Sequence, residues 1–188
     1  MELYFATGND SKVKEFKNAL ESFEVTLKRI DIDLAEMDHE DVEKVSRRKA
    51  VDAYNESNIE EPVMVEDSGL YVSALGGFPG SVSSYFFEKC GNHGLLKLLK
   101  DIGERDAYFK TSIAIYFPEK DDTKTLSGVC KGRISRKIRG DSGFGYDPVF
   151  IPEGRNKTFA EDFSVKEEIS HRKKAIEKLK KYLEEKGL

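Results

Sequence analysis

The sequence predicts an α/β protein with a mixed sheet. Between residues 2 and 66, short apolar runs alternate with segments of helical period, the pattern of strand–helix–strand units. Between residues 107 and 134, two strand-like runs are joined by a polar turn, a hairpin signal that a purely parallel sheet would lack. The chain has 188 residues, 38% of them hydrophobic, which suits one domain, or one domain with two lobes, and a substantial core.

The elements follow in order. Residues 2–6 are a short, aromatic-rich apolar run read as a strand, ending at Thr7-Gly8-Asn9. Val13, Phe16, Ala19, Leu20 and Phe23 recur at helical spacing, predicting a helix over 11–23 with Asn9 or Asp10 as its cap. Residues 24–30 resemble a second strand. Residues 41–57 read as a polar helix with an inner stripe of Val42, Val45, Ala50 and Ala53, and 62–66 as a short, central third strand. Gly76-Gly77-Phe78-Pro79-Gly80 predicts a loop, and the leucines at 95, 96, 98 and 99 a helix ending near Gly103. Strands are expected over 107–117, 125–134 and 148–152. A last helix is expected over 165–186, with Ser164 and Glu167 at capping-box spacing.

Composition narrows the function classes. Thirty-one basic residues against 35 acidic ones leave a net charge of −4, the wrong sign for general nucleic-acid binding. No apolar run approaches the roughly 20 residues that span a bilayer, and Met1-Glu2-Leu3 does not open a signal peptide. A cytoplasmic protein with no membrane and no nucleic-acid partner is expected. Cys90 and Cys130 stand far apart with no Cys-x-x-Cys pair; a disulfide is open to the sequence, and buried, reduced thiols are the preferred reading. Absent Gln and Trp beside abundant Lys and Glu lean toward a heat-adapted host.

Four segments can carry chemistry. Thr7-Gly8-Asn9-Asp10-Ser11-Lys12 joins the first strand to the first helix: a glycine admits a ligand to the backbone, a helix N-terminus offers N–H groups, and Lys12 adds charge. Together these suit a phosphate, although no Walker A pattern is present; the plain alternative is an ordinary turn. Glu66-Asp67-Ser68-Gly69-Leu70 places two carboxylates at the end of the third strand, where extended backbone would send them to opposite sides. Oxygen ligands of this kind suit Mg²⁺ with substrate phosphates, and the alternative is a polar turn. In Gly143-Phe144-Gly145-Tyr146-Asp147-Pro148 the glycines leave the Phe144 ring uncovered for a planar base, and Asp147 can accept hydrogen bonds; core aromatics in a glycine turn are the alternative. Lys166 and Ser170 share a helical face, and a break near Ser170 would bring His171 and Arg172 to the same place. His39 and His93 are read as surface residues.

The order of these segments, with Gly77-Phe78-Pro79-Gly80 between them, resembles the inosine/xanthosine triphosphate pyrophosphatase family over residues 2 to 183. The resemblance implies an elongated, two-lobed ITPase-like fold in one domain, 1–188, with an active-site cleft between the lobes, and a homodimer. It implies Mg²⁺-dependent hydrolysis of ITP, dITP and XTP to the monophosphate and pyrophosphate. By resemblance, Thr7, Gly8, Asn9, Lys12 and Lys49 hold the triphosphate, Glu36 and Asp67 are metal carboxylates, Asp67 is also the general base, and Ser68 touches substrate. Phe144, Gly145, Tyr146, Asp147, Lys166, His171 and Arg172 surround the base. The chain departs from the family pattern at Lys44-Val45, where many members carry Glu-Asn.

Overall fold

The computed structural model describes residues 1–32, 34 and 41–188. The proposed metal ligand Glu36 and His39 lie outside the described residues. The described elements are β1 (Glu2–Ala6), α1 (Asp10–Ala19), β2 (Thr26–Ile30), α2 (Val42–Glu56), β3 (Val63–Val72), β4 (Pro79–Gly80), α3 (Ser83–Leu98), β5 (Asp106–Phe117), β6 (Asp122–Ile134), β7 (Phe150–Pro152), α4 (Phe163–Ile169) and α5 (His171–Glu185). The strands form one sheet in the order β2-β1-β3-β5-β6-β7, with β4 paired to β3. β1 runs parallel to β2 and β3, whereas β3–β4 and β6–β7 are antiparallel, so the sheet is mixed as predicted.

The chain divides into two compact units. The first comprises Met1–Asp67, Thr111–Ser127 and Ala175–Leu188, and the second Ser68–Lys110 and Gly128–Lys174. In the first unit, alternation along the strands sorts side chains onto two faces. Leu3, Phe5, Met64, Ile113 and Ile115 meet Val13 and Phe16 of α1 and Ile176, Leu179 and Leu183 of α5. Ala6, Val63, Val65, Ala114 and Tyr116 face Ala50 and Ala53 of α2 instead. Phe16 is fully buried against Phe5, ring centroids 4.9 Å apart, so truncating it to alanine should cost about 3–5 kcal/mol. The second unit has its own core, in which the tilted rings of Phe109, Phe150 and Phe159 pack in sequence beside Leu70, Leu95 and Leu99.

Several sequence expectations are adjusted. β3 does not end at Glu66 but continues to Val72, because Leu70 and Tyr71 pair with Gly80 and Pro79 of β4 and Leu70 and Val72 are fully buried. α1 stops at Ala19; Phe23 still packs on the same core, which is why the helical pattern overran the helix. α3 begins at Ser83, well before the leucines, and Gly91 interrupts its helical backbone with φ 57°. The last helix is two helices, broken at Ser170, whose extended backbone (ψ 160°) ends α4. Ser164 is not the cap: the residue preceding α4 is Asp162, and the Ser164 hydroxyl donates to its carboxylate. Both cysteines are free, and only Cys130 is buried, its thiol pushed up to about 11 chiefly by that burial. Cys90 lies exposed on α3. No helix among the described residues is long and apolar enough to cross a membrane.

Candidate active site

The turn after β1 is built as its residues suggest. The Asn9 side chain accepts hydrogen bonds from the Ser11 and Lys12 amides at 3.0 and 3.2 Å, capping α1, and the Thr7 hydroxyl oxygen accepts from the Asn9 amide at 3.2 Å. Gly8 is exposed, its φ is not left-handed, and a Cβ there would meet nothing closer than Asp31 at 3.8 Å. The fold does not require glycine at this position. Its bare backbone is therefore available to a ligand.

Strand alternation then decides where the carboxylates go. Glu66 follows Met64 onto the α1 face, and its buried carboxylate lies 2.5 Å from the Lys12 ammonium. Lys12 Nζ also donates to the Glu66 carbonyl at 3.3 Å, and the Thr111 hydroxyl donates to Glu66 Oε1 at 3.3 Å. Asp67 follows Val65 onto the α2 face, where Lys49 Nζ stands 3.5 Å from Oδ2. Two adjacent acids thus each meet a lysine from the helix on their own face. The sequence pairs Glu66 with Asp67 as oxygen ligands suited to Mg²⁺, whereas here Glu66 is taken up by Lys12 and Thr111, and the part of Thr111 is not evident from sequence. Such signals as exist are the period-two alternation and a hydroxyl within the otherwise apolar β5.

The second unit assembles the remaining predicted residues. Phe144 is 61% exposed between its flanking glycines. Lys166 Nζ lies 3.9 Å from its centroid and the Arg172 guanidinium carbon 5.8 Å. Asp147 is nearly buried; its Oδ2 accepts from the Phe144 amide at 2.8 Å and from Lys166 Nζ at 2.5 Å. Gly143, at φ 78°, leaves room for that carboxylate, which a Cβ would strike. Tyr146 turns into the core, its hydroxyl donating to the Ser83 carbonyl at 2.9 Å, and burial raises its pKa strongly. The Gly145 carbonyl accepts from the Asn92 side chain at 3.0 Å, a contact the sequence did not suggest.

The break at Ser170 has the anticipated effect for Arg172, which arrives beside Phe144 with Lys166. The Ser170 hydroxyl oxygen accepts from the Lys173 amide at 3.2 Å, capping the new helix. His171 instead stacks on Phe109, centroids 4.6 Å apart and planes within 13°. Ser68, the first residue of the second unit, follows Asp67 in β3 and is partly buried.

The chain matches the Ham1 family over residues 3–182. It belongs to the Ham1 family. A dITP/XTP pyrophosphatase of Methanopyrus kandleri is 43% identical over 180 residues, covering 95% of this chain and 94% of that protein. A protein of the same name from Pyrococcus horikoshii is 42% identical, covering 94% and 93%. Among solved structures, the Ham1 protein of Coxiella burnetii has a TM-score of 0.88 at 31% identity, covering 98% of this chain and 99% of its own. The Staphylococcus aureus Ham1 protein likewise has a TM-score of 0.88, at 30% identity, covering 99% and 100%.

Of the two β3 carboxylates, Glu66 is fully buried against Lys12 at 2.5 Å, whereas Asp67 stays partly exposed with Lys49 farther off at 3.5 Å, so Asp67 is the one placed to reach a metal ion. No group of three His, Cys, Asp or Glu side chains among the described residues is arranged to hold a metal alone. That donor set fits Mg²⁺, which is commonly held by one or two carboxylates together with substrate phosphates.

Proposed function

We propose that this Ham1 protein hydrolyses non-canonical purine nucleoside triphosphates, namely dITP, XTP and ITP, to the nucleoside monophosphate and pyrophosphate. The observation that carries the reading is the pair of adjacent carboxylates in β3, each facing a lysine: cations to hold phosphate and an acid to direct water. The names of the Methanopyrus kandleri and Pyrococcus horikoshii relatives agree with the substrate class.

In this reading, Thr7, Gly8, Asn9, Lys12 and Lys49 bind the triphosphate. The Gly8 backbone comes close to phosphate oxygens, and the lysines offset their charge. Asp67 orients the attacking water and accepts its proton as oxygen bonds to the α-phosphorus, and pyrophosphate leaves as the bond to its bridging oxygen breaks. Ser68 contacts substrate beside it. Mg²⁺, held by Asp67 with Glu36 as a second carboxylate, would neutralise phosphate charge when bound.

The purine lies against Phe144, whose exposed ring is flanked by two cations. Asp147 and Lys166 fix the loop that carries that ring, with Gly145 and Tyr146 anchoring its far side. Arg172 is suited to donate to the oxygen at purine C6, where ATP presents an amino group; a donor facing that group would lose its partner. His171, held on Phe109, supports Arg172 from the adjoining position. A cytoplasmic homodimer completes the proposal.

Phosphate release from ITP, XTP, GTP, ATP and dUTP, measured with Mg²⁺ and with or without added inorganic pyrophosphatase, tests it. The proposal expects fast signal from ITP and XTP that depends on the auxiliary enzyme. Signal without the auxiliary enzyme would mean attack at the γ-phosphorus and overturn the mechanism, and no signal from any substrate would overturn the activity.

A further inference from the structure

The second unit carries a groove of about 910 Å³ whose lining includes Arg105, Arg133, Arg136, Lys137 and Arg139, with only Glu104 and Asp106 as acids. It is formed where the start of β5, the end of β6 and β7 meet, and none of the residues assigned above to substrate lines it. Counting Glu161, which pairs with Arg139, a local excess of two positive charges stands out in a chain whose net charge is −4.

The basic side chains are not spent on one another's surroundings to the same degree. Arg139 is committed to Glu161 at 2.9 Å and to the Asn156 carbonyl at 2.8 Å, and so forms a fixed wall. Arg105 is held by the carbonyls of Leu99 and Ile102 at 2.9 and 3.2 Å, which leaves its Nη1 buried with no acceptor among the described residues. Arg133 reaches the Arg155 carbonyl and the Asn156 side chain only at 3.3 and 3.5 Å. Arg136 and Lys137 are exposed and make no side-chain hydrogen bond or ion pair among the described residues. Burial, and to a lesser degree the charge of Arg136, lower the pKa of Arg105, so the two cations stand close enough to feel each other.

We propose that this groove is a second anion site, one that takes a condensed phosphate of the pyrophosphate class. Each phosphate group contributes about −1.5 to −2, so an excess of two calls for a multiply charged phosphate, and a groove of about 910 Å³ has room for two linked phosphates. Planar arginine forks recognise phosphate oxygens in pairs. No aromatic side chain lines the groove, so a nucleobase would find no ring to stack on, and recognition is of phosphate alone.

The test is isothermal titration of the full-length protein with pyrophosphate, in EDTA at near-physiological salt, which needs no turnover and so stands or falls apart from the proposed activity. The expected result is a groove site in the wild type, in addition to whatever pyrophosphate binds at the β1–α1 turn. Combined Arg136→Ala and Lys137→Ala should remove the groove site, or weaken it at least tenfold, while ITP turnover stays unchanged; Lys12→Ala should leave the groove site intact. Unchanged stoichiometry and affinity in the double variant would overturn the proposal, as would equal affinity for sulfate, the mark of an adventitious ion only. A changed sedimentation coefficient in that variant with no lost pyrophosphate would make the groove a contact between copies of the chain, and would also overturn it.

Discussion

Two lysine–carboxylate pairs in this molecule have the same length and opposite characters. Lys12–Glu66 and Lys166–Asp147 both close to 2.5 Å. In the first, the acid is wholly buried while the lysine keeps 21% of its side chain exposed, so the charge that remains in reach of a ligand is positive. In the second, both partners are nearly sealed, at 9% and 4%, and Asp147 also holds the Phe144 amide, so the pair latches a loop. Distance alone therefore does not distinguish a working charge from a structural one. What the partners leave exposed does.

The largest expected effect belongs to neither pair but to the residue beside the first. Asp67→Asn should lower turnover by about 10²–10⁴-fold, the usual weight of a general base, with circular dichroism and melting unchanged; near-normal turnover would remove Asp67 from the mechanism. Breaking the latch comes next. Asp147→Ala strands the buried Lys166 and should cost about 3–5 kcal/mol in denaturant unfolding. Lys12→Met should cost turnover too, and adding Glu66→Gln should recover stability without recovering turnover. If that second change restored activity as well, Lys12 would be a latch like Lys166, and the contrast would collapse.

A smaller change should separate base reading from phosphate holding. Arg172→Ala removes a charged donor worth about 1.5–3 kcal/mol, so the preference for ITP over ATP should narrow by roughly tenfold or more with little change in pyrophosphate affinity. An unaltered preference assigns the discrimination elsewhere. Gly8→Ala sharpens the same division from the other side: it should leave stability equal or raise it by about 0.4–1 kcal/mol while raising KM, and a lower melting temperature would show the glycine to be structural. The least effect concerns thiols. Cys130, pushed up to about 11 by burial, should ignore a thiol reagent at mildly alkaline pH, while exposed Cys90 reacts, giving one modified cysteine per folded chain.

Much of this was legible before the structure, and the exceptions have physical causes. The β1–α1 turn is governed by local chemistry, a capping Asn9 after an apolar strand, and it formed as read. The hairpin of β5 and β6 was equally local. Ser68-Gly69 looked like a turn because nothing in the neighbouring residues announces β4, a partner ten residues away that keeps β3 extended. The start of α3 was hidden by the glycines at 91 and 94. The break at Ser170 was foreseen as a condition for convergence, but Ile169 and Ile176 continue an apolar stripe across it, so the pattern alone read one helix. At the site, residue types were readable, whereas partners were not. That Asp147 is occupied by Lys166, and that His171 lies on Phe109, are facts of packing between distant segments.

The alternation of β3 has a consequence for how this chain can change in length. Glu66 and Asp67 reach different lysines only because each step along an extended strand reverses direction. Inserting or deleting one residue between Val63 and Val65 would exchange their destinations, turning Asp67, the proposed base, toward Lys12 and Glu66 toward Lys49, with every residue type preserved. The same insertion before Pro62 would merely lengthen a connection. Gaps among related chains should therefore cluster ahead of β3 and be absent from its first five residues, a rule about spacing rather than about identity.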